Sequence, residues 1–470
     1  MKLYNTLSRK IEEFRPIKDK EVLFYHCGPT VYWVQHIGNL RAMTWGDFIR
    51  RSLIYLGYKV KFVRNYTDVG HLTSDEDEGE DKMEKGAKRE GLTPKQIAEK
   101  YIKIFEDDTK ALNILEPDYK PRATEYIKQM QEMIQILLDK GFAYITSLAV
   151  VYDVSKFEGY NKLNHQKLEL NLKGAGKGTV EDPEKKHFAD FNLWVFKKGK
   201  HKNALQTWPS PWGEGFPGWH IECSVMAKVI LGDTIDIHMG GIEHIAVHHT
   251  NEIAQSEAAN KTSFAHYWIH NEHLNVNDEK MAKSKGTGYT LKEIVNRGFD
   301  PLILRYFFLS AHYRSKQNFT WEALKNAQES LNKLRNIVLN LKNSLNTNSS
   351  RLYQDGKKYY KDKFKKVISN NLQTPQAVAV MWEMLKSDLA PQEKLDLLFD
   401  FDKVFGLKLN ELTEHIIPTE IMNLANQRLI LREKKNFVKA DILRKEIEKK
   451  GYILEDKIID NIPFYTIKKI

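Results

Sequence analysis

Four residues of this sequence have the chemistry of a metal site. Cys27 and Cys223 are its only cysteines, too few for a disulfide scaffold, and a reducing compartment would keep both as thiols. His248 and Glu252 are four residues apart, which on a helix places both side chains on one face. Two thiolates, an imidazole and a carboxylate form a ligand set suited to zinc. The alternative is that the cysteines are small buried side chains and the histidine–glutamate pair lies on a helix surface.

A second group of residues is suited to binding phosphate. The apolar run Val22–Tyr25 predicts a buried strand, a glycine–proline turn ends it, and a helix begins at Gly38 and Asn39. Free backbone N–H groups and the positive end of the helix dipole favour an anion at such a helix start. His36 adds a hydrogen-bond donor beside it.

Two charged segments have a less specific meaning. The segment Lys280-Met-Ala-Lys-Ser284 places two lysines, Lys280 and Lys283, on a loop after a predicted strand. Such lysines can neutralise a polyphosphate in a transition state, although an exposed basic loop is the simpler interpretation. The acidic run at residues 75–81 predicts a solvated loop, with Mg²⁺ binding as a weaker alternative.

A parallel α/β sheet must position these residues. The strand Val22–Tyr25, the helix Asn39–Leu56 and the strand Lys59–Val63 form a βαβ unit. The strand Thr234–His238 and the helix Glu243–Ala259 continue the same sheet after an insertion. We therefore predict an α/β fold, a Rossmann-type doubly wound parallel sheet with a small inserted domain, followed by an all-α bundle and a small C-terminal domain.

The remaining elements follow from hydrophobic periodicity. The predicted strands of the insertion are Phe142–Ile145, Ala149–Tyr152 and Phe191–Phe196. The predicted helices are Thr93–Leu112, Thr124–Lys140, Trp321–Leu345, Tyr359–Asn370, Thr374–Lys386, Glu393–Phe399 and Glu433–Lys450, with a short extended segment at the end. The predicted domains are residues 1–118 and 206–258 (sheet), 119–205 (insertion), 259–312 (the region with the lysine loop), 313–405 (bundle) and 406–470 (C-terminal domain).

Composition bounds the class of protein. The 470 residues allow several domains, and 41% hydrophobic with 29% charged residues is typical of a globular chain. The net charge is +10, and residues 311–470 hold 29 lysines and arginines against 20 aspartates and glutamates. A basic C-terminal third suggests a polyanionic partner such as nucleic acid, although solvated lysines on helix surfaces would give the same count. We find no signal pattern and no membrane-spanning apolar run, and expect a cytoplasmic protein.

Several motifs, in their order along the chain, resemble the cysteinyl-tRNA synthetases of the class I aminoacyl-tRNA synthetase family. Those similar to the two class I signatures are His36-Ile-Gly-Asn39 and Lys280-Met-Ala-Lys-Ser284. Those similar to the cysteine-specific family are Tyr25–Tyr32, Ala111–Leu115, Gly218–Cys223, Asp236–His238, His248–Ser256, His312–Ser315 and Lys439–Arg444. The resemblance extends from the first strand to the charged tail helix.

The resemblance implies a set of site residues. It implies zinc ligands at Cys27, Cys223, His248 and Glu252; catalytic residues at His36, Asn39, Lys280 and Lys283; further ATP contacts at Gly38, Gly240 and Gly241; and a cysteine pocket of Cys27, Gly28, Thr67, Trp219 and Glu243. It also implies one Zn²⁺ per subunit, ATP, Mg²⁺, L-cysteine and tRNA(Cys) as ligands, an anticodon-binding C-terminal domain, and a monomer.

The implied reaction joins the carboxylate of cysteine to the α-phosphate of ATP and then transfers the cysteinyl group to the 3′ end of tRNA(Cys). Zinc would select the thiol. One alternative is a ligase that passes activated cysteine to a small-molecule amine, which would not need a basic helical half. Another is an inactive RNA-binding protein that keeps the fold, although the intact ligand set and His36 argue against it.

The sequence departs from the family pattern at four positions. Ala282 replaces a serine in the lysine motif, Thr250 a glutamate beside the predicted zinc histidine, and Met239 a glycine. Glu243 stands where aspartate is usual and is one methylene longer. None of these changes removes a predicted ligand or a signature lysine, so we expect them to affect rates and fine geometry.

Overall fold

The computed structural model describes residues 1–70, 82–165, 182–280, 288–345, 354–413, 419–459 and 462–469. The chain divides into two compact units, Met1–Asn410 and Glu411–Ile470. The finer division into six segments stays a prediction. The acidic run at 75–81, Ala282 and Lys283 lie outside the described residues.

The elements are numbered along the chain. The strands are Lys2–Asn5 (β1), Lys10–Glu13 (β2), Glu21–His26 (β3), Lys59–Arg64 (β4), Ala143–Ile145 (β5), Ala149–Tyr152 (β6), Phe191–Phe196 (β7), Gly215–Pro217 (β8), Ile235–Gly241 (β9), Ala265–Asn271 (β10), Leu274–Val276 (β11), Glu279–Lys280 (β12), Gln317–Phe319 (β13), Tyr452–Ile459 (β14) and Ile462–Lys469 (β15). The helices are Ile37–Tyr55 (α1), Lys82–Glu90 (α2), Pro94–Ala111 (α3), Ile127–Asp139 (α4), Trp219–Leu231 (α5), His248–Asn260 (α6), Leu291–Asn296 (α7), Pro301–Leu309 (α8), Trp321–Ser344 (α9), Gln354–Ser369 (α10), Thr374–Leu385 (α11), Pro391–Phe405 (α12), Thr419–Glu433 (α13) and Phe437–Lys449 (α14).

A parallel sheet of four strands forms the centre of the first unit. Its strand order is β10-β9-β3-β4, and every neighbouring pair is parallel. Strand β3 lies between β9 and β4, and its residues from Phe24 to His26 are buried, as is typical of a central strand in a parallel sheet. Helix α1 connects β3 to β4, so the predicted βαβ unit and the predicted doubly wound α/β class are confirmed.

Strand β10 is the element of this sheet that the sequence did not predict. Its residues, Ala265–Asn271, pair in parallel with β9 from Ala265 opposite Ile235 to Asn271 opposite Gly241. Two histidines and a terminal asparagine interrupt its apolar run, and these polar side chains obscured the strand pattern.

The insertion forms an antiparallel sheet of order β5-β6-β7-β8. The predicted strands Ala149–Tyr152 and Phe191–Phe196 have those bounds. The fourth strand, Gly215–Pro217, is not among the strands predicted for the insertion. Gly215 allows it to pair closely, because a Cβ there would lie 2.1 Å from the Val195 carbonyl oxygen.

The second unit corrects the prediction for the tail. The helix predicted over Glu433–Lys450 is α14, but its predicted start was wrong, since α13 ends at Glu433 and α14 begins only at Phe437. Lys435 has a positive φ of 57°, and the Asn436 side chain caps α14 by accepting from the Lys439 backbone N–H. The predicted short extended end is the hairpin of β14 and β15.

A buried ion pair joins α1 to the helical part of the first unit. Arg305 on α8 donates to Asp47 on α1 at 2.5 Å, and both side chains are 0% exposed. Arg305 also donates to the carbonyl oxygens of Phe405 and Leu112 at 2.6 and 2.9 Å. Asp47 accepts in turn from Arg51 at 2.8 Å. These contacts fix α1, which carries the predicted phosphate site, against the helices that follow the sheet.

In the parts of the chain that the structure describes, no helix is long and apolar enough to cross a membrane.

We predict that Arg305→Met lowers the free energy of unfolding by about 3 kcal/mol, because it leaves the buried Asp47 carboxylate with fewer partners. Urea unfolding followed by circular dichroism measures this. The control is Lys363→Met, which removes a surface pair with Glu383 and should lower the free energy of unfolding much less, because solvent screens such a pair. Equal stability losses in the two variants would contradict the prediction.

Candidate metal and nucleotide site

The candidate site lies at the carboxyl ends of the central strands. Cys27 directly follows β3, and its backbone N–H donates to the carbonyl of Met239 on β9 at 2.9 Å. The Gly28 N–H donates to the Asn65 side chain, just beyond β4, at 2.8 Å. A Cβ at Gly28 would lie 1.7 Å from the Asn65 carbonyl oxygen, so glycine is required there. The chain thus turns sharply where three strands end, which is where ligands bind in open α/β sheets.

The four residues predicted as metal ligands meet at this point. The sulfurs of Cys27 and Cys223 are 3.9 Å apart, and both thiols are free and buried. His248 Nε2 lies 2.9 Å from Glu252 Oε1, which is 4.0 Å from the Cys27 sulfur. One potential ligand atom from each residue lies within 4.8 Å of the other three. Helix α5 supplies Cys223, and successive turns of α6 supply the histidine and the carboxylate.

The electrostatics of this cluster fit a cation. Burial raises the pKa of the Cys27 thiol, whereas the hydrogen bond from Cys27 lowers the pKa of Cys223 to about 7. Burial opposes charge on His248 and Glu252, yet their mutual attraction dominates. It raises the pKa of His248 to about 10, and with His238 it lowers the pKa of Glu252. A divalent ion would let thiolates and carboxylate carry charge together in this buried place.

A second set of residues at the same point has ligand-like geometry: Cys27, His238, His249 and Glu252. Two observations favour the first set. First, His238 Nε2 lies 2.7 Å from Glu252 Oε2, whereas His248 contacts the other oxygen, Oε1. A residue that orients a metal ligand from outside the site is placed in this way. In addition, Cys27, Cys223 and His248 line a pocket that His238 and His249 do not. Sequence reasoning missed both histidines as partners, although each stands within a quoted motif.

The pocket has a volume of about 320 Å³. The predicted site residues that line it are Cys27, Gly28, His36, Asn39, Thr67, Trp219, Cys223, Gly241, Glu243 and His248. The lining also includes residues that the sequence did not single out, among them Tyr32, Trp33, Gln35 and His244. Gly38, Gly240 and Glu252 are predicted site residues outside the lining. Lys280 is the last residue of the short strand β12.

Helix α1 begins at the edge of this pocket. His36 is its N-cap residue, and its Nδ1 accepts from the Asn39 backbone N–H at 3.2 Å. In a neutral imidazole the other ring nitrogen, Nε2, then carries the proton and is the donor. The Asn39 side chain donates to Gln35. The first turn of α1 contains no acidic side chain, so the helix start keeps its attraction for an anion.

The side of the pocket next to the cysteines holds the predicted amino-acid residues. The Trp219 ring stacks on His248, with centroids 4.2 Å apart. The Thr67 hydroxyl donates to Glu222 at 3.2 Å, and burial raises the pKa of that carboxyl. Glu243 is half exposed and lies 3.7 Å from His273.

Two departures from the family pattern are accommodated without disturbing the ligands. The Thr250 hydroxyl donates to the Ile245 carbonyl at 2.7 Å, within the turn that starts α6. Met239 is fully buried in β9, and its carbonyl accepts from Cys27. Neither side chain lines the pocket.

Comparison with known proteins identifies the family. The family model for the class I (C) tRNA synthetase catalytic domain matches residues 13–329. A cysteine–tRNA ligase of Treponema denticola is 41% identical, covering 97% of this chain and 98% of the relative. A cysteine–tRNA ligase 1 of Burkholderia lata is 42% identical, covering 97% and 94%. This chain belongs to the cysteine–tRNA ligase family of class I tRNA synthetases. The resemblance drawn from the motifs is confirmed.

A solved structure supports the fold independently of sequence. Mycobacterium tuberculosis methionyl-tRNA synthetase in complex with methionyl-adenylate matches with a TM-score of 0.58 at 14% identity, covering 82% of this chain and 90% of that one. At this identity the likeness concerns the fold alone. It agrees with the predicted class I architecture.

We predict that cobalt(II), used as a spectroscopic substitute for zinc, binds one per chain with a charge-transfer band typical of two thiolates. Cys223→Ser should roughly halve the intensity per bound metal and weaken the affinity by about tenfold or more, because one of four ligands is lost. His249→Gln should retain the two-thiolate intensity.

Titration of the metal-free protein followed by absorbance measures both quantities. The second ligand set, which contains only Cys27 as a sulfur ligand, predicts the reverse: an unchanged band in Cys223→Ser and a lost ligand in His249→Gln. That pattern would contradict the assignment.

Proposed function

We propose that this chain is a cysteine–tRNA ligase that activates L-cysteine with ATP and transfers it to the 3′ end of tRNA(Cys). The observation that carries the proposal is the joining of two features in one pocket. A buried Cys₂-His-Glu cluster lies at one side, and the capped start of helix α1 lies at the other. The first suits a thiol and the second suits phosphate.

The activation step needs little acid–base chemistry. The carboxylate of cysteine attacks the α-phosphate of ATP, forms cysteinyl-adenylate and releases pyrophosphate. A carboxylate is already a nucleophile, so the protein's contribution is positioning and stabilisation of the developing charge. The Nε2–H of His36 would donate to a phosphate oxygen, and the positive end of the α1 dipole would stabilise the phosphate charge. Asn39, Gly38 and the pocket-lining Gly241 lie beside them.

We assign Lys280 and Lys283 to the same phosphate groups, from their place in the class I signature. We assign Gly240 to the same group from the family resemblance alone, since the structure shows only that two histidine rings leave no space for a side chain there. A Cβ there would lie 2.5 Å from His244 and 2.7 Å from His249. Mg²⁺ would neutralise the remaining charge of the triphosphate.

We propose zinc as the metal held by Cys27, Cys223, His248 and Glu252, one per chain. When bound, it supplies a soft Lewis acid that distinguishes a thiol from a hydroxyl. Apolar pockets separate near-isosteric substrates by only about 10–200-fold, and cysteine and serine differ by a single atom. The rest of the pocket then orients the amino acid, with Trp219 as a wall, Thr67 and Gly28 near the backbone of the substrate, and Glu243 toward its ammonium group.

The alternative, a ligase that acts on a small-molecule amine, is not favoured. The cysteine–tRNA ligase relatives cover 97% of this chain, including the helical part and the second unit. We assign those regions, including the compact unit Glu411–Ile470, to tRNA contacts and the anticodon. We further propose that the protein acts as a monomer in the cytoplasm.

We predict cysteine-dependent ATP–pyrophosphate exchange, and charging of tRNA bearing the cysteine anticodon. Serine should be activated at least about 1,000-fold less efficiently than cysteine, beyond the range of an apolar pocket. Removing the metal with a chelator should abolish cysteine activation. Re-adding zinc should restore it, because the thiol of the substrate cysteine then regains the metal ion that binds it.

Kinetic exchange assays with each amino acid, before and after chelation, provide the test. Exchange without tRNA charging would favour the small-molecule ligase. Full cysteine activation by metal-free protein would overturn the role of zinc while leaving the family unaffected.

A further inference from the structure

Arg89 on α2 holds the segment of chain that forms one wall of the pocket. Its guanidinium carbon lies 3.6 Å from the centroid of the Trp33 ring, and its Nη2 donates to the Tyr32 carbonyl at 3.2 Å. Trp33 and Tyr32 both line the pocket. A guanidinium over an indole face combines charge–quadrupole attraction with planar stacking. Arg89 therefore contacts two consecutive residues of the wall: the ring of Trp33 and the backbone carbonyl of Tyr32.

Two further residues hold the same nitrogen of Arg89. Its Nη2 lies 2.8 Å from the Glu90 carboxylate and 3.1 Å from the Tyr101 hydroxyl, which also donates to Glu90. The Tyr101 ring stacks with Trp33, with centroids 6.2 Å apart. Hydrogen bonds from Lys100, Tyr101 and Arg89 lower the pKa of Glu90 to about 2, so the carboxylate stays charged. The arginine is thus held in one orientation, with its side chain 33% exposed.

Helix α2 can lie against the wall because it contains Gly86. A Cβ at Gly86 would lie 3.2 Å from the Tyr32 carbonyl oxygen and 3.3 Å from Ile97 on α3. These distances leave little space for a side chain. The same carbonyl that accepts from Arg89 thus lies directly against the helix backbone, which brings the arginine within reach.

From the wall, hydrogen bonds continue to the start of α1. The Gln35 side chain donates to the carbonyls of Thr30 and Trp33 at 3.2 Å each, and Asn39 in the first turn of α1 donates to Gln35. Contacts therefore run without interruption from Arg89 through Trp33 and Gln35 to the helix start. A displacement of the wall would be transmitted to the residues placed to bind phosphate.

We propose that Arg89 is a positioning residue for the nucleotide half of the pocket, fixing the wall at residues 30–35 and through it the first turn of α1. This inference rests on the proposed function, in which ATP occupies that half. The metal-binding half is built from other elements, the end of β3 with α5 and α6. Loss of Arg89 should therefore weaken ATP binding and leave metal binding intact.

The test is Arg89→Met, which removes the charge and the donors but keeps an unbranched side chain. We expect the KM for ATP in cysteine-dependent pyrophosphate exchange to rise about tenfold, equivalent to ~1.4 kcal/mol, with kcat, metal content and Tm close to wild type. Arg89→Lys keeps a cation over the Trp33 ring but loses the planar guanidinium group, so we expect an intermediate KM for ATP.

Lys100→Met is the matched control. Lys100 binds the same Glu90 carboxylate at 2.6 Å and lies over the Tyr101 ring. It makes neither of the two wall contacts of Arg89, the one to the Trp33 ring and the one to the Tyr32 carbonyl. The KM for ATP of Lys100→Met should therefore match wild type. An ATP KM in Arg89→Met within twofold of wild type overturns the proposal. An equal rise in Lys100→Met overturns it too, since the effect would then belong to Glu90. If Arg89→Met does not fold, Arg89→Lys against Lys100→Met decides by the same criteria.

Hydrogen–deuterium exchange separates this inference from the proposed function. In the substrate-free protein, backbone amides of residues 30–39 should exchange faster in Arg89→Met than in wild type and Lys100→Met. This readout needs no knowledge of the substrate. Unchanged exchange in this segment overturns the positioning role, whereas wild-type protein without cysteine-dependent pyrophosphate exchange overturns the proposed function.

Discussion

The buried carboxylate of Glu252 is the constraint on which the site depends. A charge removed from water is costly unless opposite charges and hydrogen bonds compensate for it. His238 and His248 lie within 2.9 Å of its two oxygens, and they keep its pKa low despite complete burial. Two sulfurs lie beside the same carboxylate. A divalent cation is the species whose charge and ligand preferences match this set. His238, which holds the other carboxylate oxygen, orients the carboxylate toward it.

A single bend in the chain links the two halves of the proposed reaction. Cys27 follows the central strand β3, and His36 caps the helix that begins shortly after it. Gly28 permits the bend because the Asn65 backbone leaves no room for a side chain. Selection of the thiol and binding of ATP therefore depend on the same loop, and Arg89 holds the wall that this loop forms.

The sequence predicted the parts of this arrangement that rest on local pattern. The βαβ unit around α1 has a clear alternation of apolar runs and turns, and His248 with Glu252 has helical spacing, so both were predictable. Strand β10 was not, because His266 is exposed and His270 contacts His249 of the buried cluster, and both interrupt the apolar pattern. The roles of His238 and Arg89 depend on contacts between distant segments. The sequence analysis did not single out Arg89, and only the fold brings it onto Trp33.

The most direct test of the account is the number of sulfur ligands on the metal, measured by X-ray absorption of the zinc-loaded protein. The account predicts two sulfurs in the free protein, from Cys27 and Cys223, and three after L-cysteine is added, with serine leaving the number at two. A sulfur count that does not change when cysteine binds would contradict the claim that this metal selects the substrate by its thiol.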